Sequence, residues 1–72
     1  MTTRASSYLL QAQMFVSDDE ATDLESALST ARSCEASGEP YPEQVIAMVR
    51  RAWGLLEIDA PEVAAEYGPP DV

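Results

Sequence analysis

The apolar positions fall into two helical stripes and one ambiguous run. Ala21, Leu24, Ala27, Leu28, Ala31 and Cys34 recur at spacings of 3, 3, 1, 3 and 3, an α-helical period. Before them, Ser17 and Glu20 have the S-x-x-E spacing of a capping box, and Val16 stands where a staple onto Ala21 begins. Asp18 and Asp19 fall in the first turn, where the helix dipole favours negative charge by ~0.3–1 kcal/mol each. Gly38 supplies the stop. The pattern predicts a helix over about 18–37. Its stripe is narrow and rich in alanine, so a partner helix can approach closely.

The stretch "GEPYP" at 38–42 reads as a linker, because each proline turns its predecessor away from helical angles. Pro42 suits the first turn of a second helix over about 42–57. There Val45, Val49, Ala52, Trp53 and Leu56 share one face, with Ile46 on one flank and Met48 and Leu55 on the other. That sector spans about 180°, against ~100° for an ordinary surface helix. Arg50, Arg51, Ala47 and Gly54 make the opposite side. Gly54 costs up to ~1 kcal/mol relative to alanine, and no local pattern accounts for it.

Residues 7–16, "SYLLQAQMFV", fit either period. As a strand they align Tyr8, Leu10, Ala12, Met14 and Val16; as a helix, Tyr8, Ala12, Phe15 and Val16. Leu, Gln, Ala and Met tilt the choice slightly toward helix. In the tail, Asp59 offers a cap, Pro61 a first turn and Glu62 an acid near the start, predicting a short helix over 60–67 ended by Gly68-Pro69-Pro70. Residues 1–6 and 68–72 read as flexible ends.

These elements predict one small, mainly all-α domain over 1–72. Its frame is an antiparallel hairpin of the two central helices, joined by a short linker. Leu24, Leu28, Ala31, Val45, Val49, Trp53 and Leu56 are the expected core or dimer contacts. A narrow stripe cannot cover a sector twice as wide. The surplus must meet 7–16, the tail or a second chain. A chain this short also buries only about 60% of its unfolded surface. Both points favour a homodimer.

Charge changes the picture next. The chain holds 13 acids and 4 bases, all arginine, for a net of −9. Residues 17–39 carry a net of −6, and 57–72 hold five acids and no base. Nucleic-acid affinity comes from neutralising phosphates, so direct binding is disfavoured. Acid steers instead toward basic protein surfaces. Asp23 and Glu25 lie beyond what the helix start needs, and with Asp19 they are candidate partner contacts. Tyr41, between two prolines, and the adjacent Arg50 and Arg51 join them. Acids spread over a helix also suit mimicry of nucleic-acid phosphates, though a solvated helix start explains most of them.

The inventory argues against catalysis. Histidine and lysine are absent, removing the commonest general base and the Schiff-base amine. The single Cys34 lies on the apolar stripe near a helix C-terminus, where a thiolate is disfavoured. It forms no intramolecular disulfide and cannot by itself close a zinc site. A calcium loop starting at Asp18 would put Asp23 where glycine is needed and Ser29 where glutamate is needed. No cofactor or metal is expected. No apolar run approaches the ~20 residues of a membrane span. With one thiol and no export signal, a cytoplasmic location is expected.

One resemblance follows from the strand alternative. If 8–16 is a strand, "MFVSDDEATDL" resembles the strand-to-helix entry of ribbon-helix-helix DNA-binding proteins, and "YPEQVIAMVRRAW" resembles their second helix. The likeness covers about residues 8–57 and implies a dimeric transcriptional regulator. The chain departs from it in a longer first helix, in "GEPYP" at the turn, and in a ribbon offering Gln11 and Gln13 but no Lys or Arg. The main expectation is different: a small acidic inhibitor or regulator, of the kind phages and mobile elements carry, that docks on a host protein with a basic surface and blocks its activity.

Overall fold

The ambiguous run at 7–16 is helical. In the computed structural model, which describes residues 4–70, helix α1 spans Ala5–Ala12 and runs into a 3-10 turn, Gln13–Phe15. Ala5, Tyr8, Leu9 and Ala12 form its buried face, at helical spacings of 3, 1 and 3. The strand reading puts Leu10 inward; the structure buries Leu9 and leaves Leu10 exposed. Both periods fit the letters, and packing against two other helices decides between them. Val16 and Ser17 then adopt extended backbone, which ends the turn and redirects the chain. The strand on which the ribbon-helix-helix resemblance depends is therefore not formed, and no strand occurs among the described residues.

Helix α2 is Asp18–Ser37, α3 is Glu43–Asp59 and α4 is Pro61–Tyr67. The described residues form a compact four-helix fold. α2 ends where expected, with Gly38 in the left-handed region at φ 75° and the Glu39 N–H donating to the Cys34 carbonyl at 3.0 Å. A side chain is strained at that φ, which is why glycine stands there.

Two predicted caps are corrected. Ser17 occupies the cap position of α2, but its side chain makes no capping bond. Glu20 pairs instead with Arg51 on α3, so the box is not closed. Asp18, Asp19 and Glu20 all lie in the first turn and complement the helix dipole without the box. Asp59 is not the cap of the last helix either; it is the last residue of α3. Ala60 serves both helices: its N–H donates to Leu56 at 2.8 Å, and its carbonyl accepts from Ala64 at 3.0 Å. Pro61 then fills the first position of α4, where its missing N–H costs nothing.

α1 packs against both α2 and α3, α2 against α3, and α4 against α3. α1 is therefore a central element, where the sequence suggests an accessory to a hairpin. Leu24, Ala27, Leu28 and Ala31 of α2 and Val45, Val49, Ala52 and Leu56 of α3 are buried with the face of α1 and Ala64 of α4. Met48, Trp53, Leu55, Val63 and Tyr67 pack partly buried around them. The wide sector of α3 is thus covered largely within one chain, by α1, α2 and α4.

Tyr8 ties these helices together. It is 1% exposed. Trp53 of α3 meets its ring edge-on at a centroid distance of 6.1 Å, and Tyr67 of α4 at 5.4 Å. Such pairs are worth about 0.5–1.5 kcal/mol beyond area burial. The Tyr8 hydroxyl donates to the Gly68 carbonyl at 2.7 Å, so the buried polar tip is satisfied. Arg4–Ser6 and Gly68–Pro70 are within the described part, and Ala5 is buried. The other positions read as flexible ends, 1–3 and 71–72, lie outside the described residues.

Candidate functional site

The acidic start of α2 is presented outward. Asp18, Asp19, Asp23 and Glu25 are exposed, whereas Glu20 is half-buried and engaged by Arg51. At 100° per residue Asp19 and Asp23 share one flank of the helix, four positions apart. Glu25 lies on the other flank with Asp18, seven positions before it. The three acids singled out by sequence therefore do not form one row; they bracket the exposed ridge of α2.

The cationic candidates separate as well. Arg51 is exposed yet held to Glu20, an interhelical pair of a kind worth about 0–1 kcal/mol at a surface. Arg50 is exposed on α3. Both belong to the same helix as the buried Val45, Val49, Ala52 and Leu56, with half-buried Trp53 beside them. The remaining core candidates, Leu24, Leu28 and Ala31, are buried on α2.

Tyr41 is drawn inward. Its ring packs partly buried against the core, and its hydroxyl donates to Glu35 Oε2 at 2.7 Å. The same carboxylate accepts the Ser6 hydroxyl on Oε1 at 2.8 Å and the Ser6 N–H on Oε2 at 3.2 Å. Glu35 thus joins the first turn of α1, the last turns of α2 and the α2–α3 connection. Burial pushes its pKa up, but the bonds from Tyr41 and Ser6 and the nearby charge of Arg4 outweigh that and hold it below its ordinary value. Burial and the bond to Glu35 push the Tyr41 phenol up, so it stays a protonated donor.

Sequence reasoning missed Glu35. A signal existed: it sits near the C-terminal end of α2, where the dipole disfavours an acid. An acid placed against that gradient asks for donors from elsewhere in the fold.

The other feature missed is apolar. Leu10 is 46% exposed, Met14 74% and Phe15 38%, in succession along α1 and the 3-10 turn. Residues 5–17 carry no charged side chain, and the first charges that follow are Asp18 and Asp19. Ile58, near the end of α3, is also exposed. Among the described residues no group of three or more His, Cys, Asp or Glu gathers as a metal site, and no helix is long and apolar enough to cross a membrane. Cys34 is half-buried and in no disulfide. The surface chemistry on offer is recognition: exposed carboxylates beside exposed apolar side chains.

No family model, curated protein or solved structure matches this chain.

Proposed function

We propose that this protein is a small acidic protein-binding module, an inhibitor or regulator of the type phages and mobile elements carry, which docks on a basic surface of a host protein and blocks its activity. The observation that supports the reading is the exposure of Asp18, Asp19, Asp23 and Glu25 on one helix of a chain with net charge −9. Carboxylates in water cost little to keep and steer basic partners by long-range attraction. No catalytic role is assigned to any residue, and the reading needs no cofactor. In this reading α2 and α3 are antiparallel neighbours, the arrangement a five-residue connection favours. Homodimerisation has less to recommend it than the sequence suggests, because α1, α2 and α4 take up the wide face of α3; sedimentation velocity measures it directly.

The test is affinity capture from source-cell extract on the immobilised chain, eluted with a salt gradient. The expected result is retention of a basic protein that is lost with Asp19→Asn, Asp23→Asn and Glu25→Gln combined. Retention indifferent to both salt and those changes would overturn the proposal.

A further inference from the structure

We infer that the corner formed by the end of α1, the 3-10 turn and the start of α2 is the docking surface, and that its occupant is a basic amphipathic helix of the partner protein. The inference rests on the protein-binding reading above and adds the place and the partner's chemistry. Leu10, Met14 and Phe15 lie within six consecutive residues and are all exposed. At 100° per residue Leu10 stands about 150° from the mean direction of the buried Ala5, Tyr8, Leu9 and Ala12, so it lies off the packed face of α1. Met14, unbranched and polarizable, adapts to the ridge of an incoming helix. An apolar helix face laid on such a strip is a common recognition mode.

Charge selects among occupants. The strip itself is neutral, and its edge at the α2 start carries Asp18 and Asp19, both exposed. Two full negative charges exceed the roughly +0.5 of the helix end beneath them, so the edge is net acidic. A second copy of this chain would bring its own Asp18 and Asp19 and a further net charge of −9. Nucleic acid and anionic lipid meet the same repulsion. A helix with an apolar face flanked by Lys or Arg satisfies both halves of the corner at once.

The probe is a synthetic amphipathic helix with leucine on one face and lysine on the other, titrated into the isotope-labelled protein and followed by amide chemical shifts. The expected shifts are centred on the stretch from Leu10 to Asp19. Leu10→Gln with Met14→Gln should weaken binding about tenfold or more, as the loss of two apolar anchors implies. Asp18→Asn with Asp19→Asn should weaken it less and flatten its salt dependence. These positions are exposed, and circular dichroism of each variant verifies that it stays folded.

A lysine peptide without leucine should bind far more weakly. Equal binding of that peptide, or shifts centred on Asp23, Glu25 or Ile58, would overturn the assignment of this corner while leaving the acidic-docking reading standing. No binding of either peptide also overturns it, and the capture experiment then decides the broader reading on its own. A dimer in sedimentation that the Leu10 and Met14 changes dissolve would make a second copy the occupant. Association with neutral phosphatidylcholine vesicles, abolished by the same changes, would make it a membrane. Either result overturns the inference.

Discussion

The two halves of the first helical segment put similar letters to opposite use. From Ala5 to Leu9 the chain is anchored twice: Ser6 bonds to Glu35, and Tyr8 sits between Trp53 and Tyr67 with its hydroxyl on Gly68. From Leu10 to Phe15 the chain is as apolar, yet only Ala12 is buried and three large side chains face water. The first half is held by packing and hydrogen bonds to α2, α3 and the end of α4. The second half keeps apolar surface that folding does not consume, and in so small a domain such surface is costly to solubility unless something uses it. Burial, not hydrophobicity alone, separates structural from available residues here.

The contrast can be broken at its strong end first. Tyr8→Ala should cost about 3–5 kcal/mol, as large-to-small core changes do. A domain of this size rarely has more than ~3–5 kcal/mol in total. The expected outcome is loss of the cooperative thermal transition in circular dichroism. A variant that melts like the parent would show that the aromatic hub is not what holds α1.

Glu35→Gln comes next. Removing a charge-assisted acceptor that serves Tyr41 and Ser6 should cost about 1 kcal/mol at neutral pH. The pH dependence carries a definite sign. Glu35 has a folded pKa below its ordinary value of 4.5, so its charged form stabilises the fold above about that pH. That contribution is lost as pH falls through the lowered folded value. The gap between the parent and Glu35→Gln in urea melts should therefore be full near pH 7 and close below pH 4.5. A gap that widens in acid contradicts the network.

Gly54→Ala probes α3. A Cβ at Gly54 would meet nothing within 4 Å, and the residue lies inside a helix without positive φ. Alanine should raise stability by about 0.5–1 kcal/mol, read as a higher denaturant midpoint. Loss of stability would mean that this side of α3 is occupied. At the weak end, the Leu10→Gln and Met14→Gln variant should shift stability by no more than about 0.5 kcal/mol, as exposed substitutions usually do. The ratio of that effect to the effect at Tyr8 measures the contrast between the two halves.

Much of the helical layout was legible in the chain, but unevenly. α2 could be bounded to about a residue at each end because Gly38 is the one position there able to take φ 75° without strain and Ser17 precedes a first turn of acids. α3 runs two residues beyond the expected end, because Leu56 and Ala60 continue the ladder past the point where the apolar sector stops. The Ser17 box and the Asp59 cap failed for a common reason. A cap motif states which bonds are possible locally, while Arg51 on another helix captured Glu20 and a one-residue joint at Ala60 left Asp59 inside α3. Glu35 and Tyr41 were opaque because their partner, Ser6, lies 29 residues before Glu35.

Sequence by itself determined that the chain is helical at its centre, where its breaks fall, and that its acid is concentrated near the start of α2. Those properties follow from local energetics: period, glycine and proline angles, and the sign of each side chain. Only the tertiary structure decided that α1 is a helix and central, that Tyr8 joins three helices, that Glu35 bridges α1 to the connection, and that Leu10, Met14 and Phe15 are left outside. Each of these depends on which distant surface arrives opposite a residue, and a run such as 7–16 fits two periods equally until that surface is present.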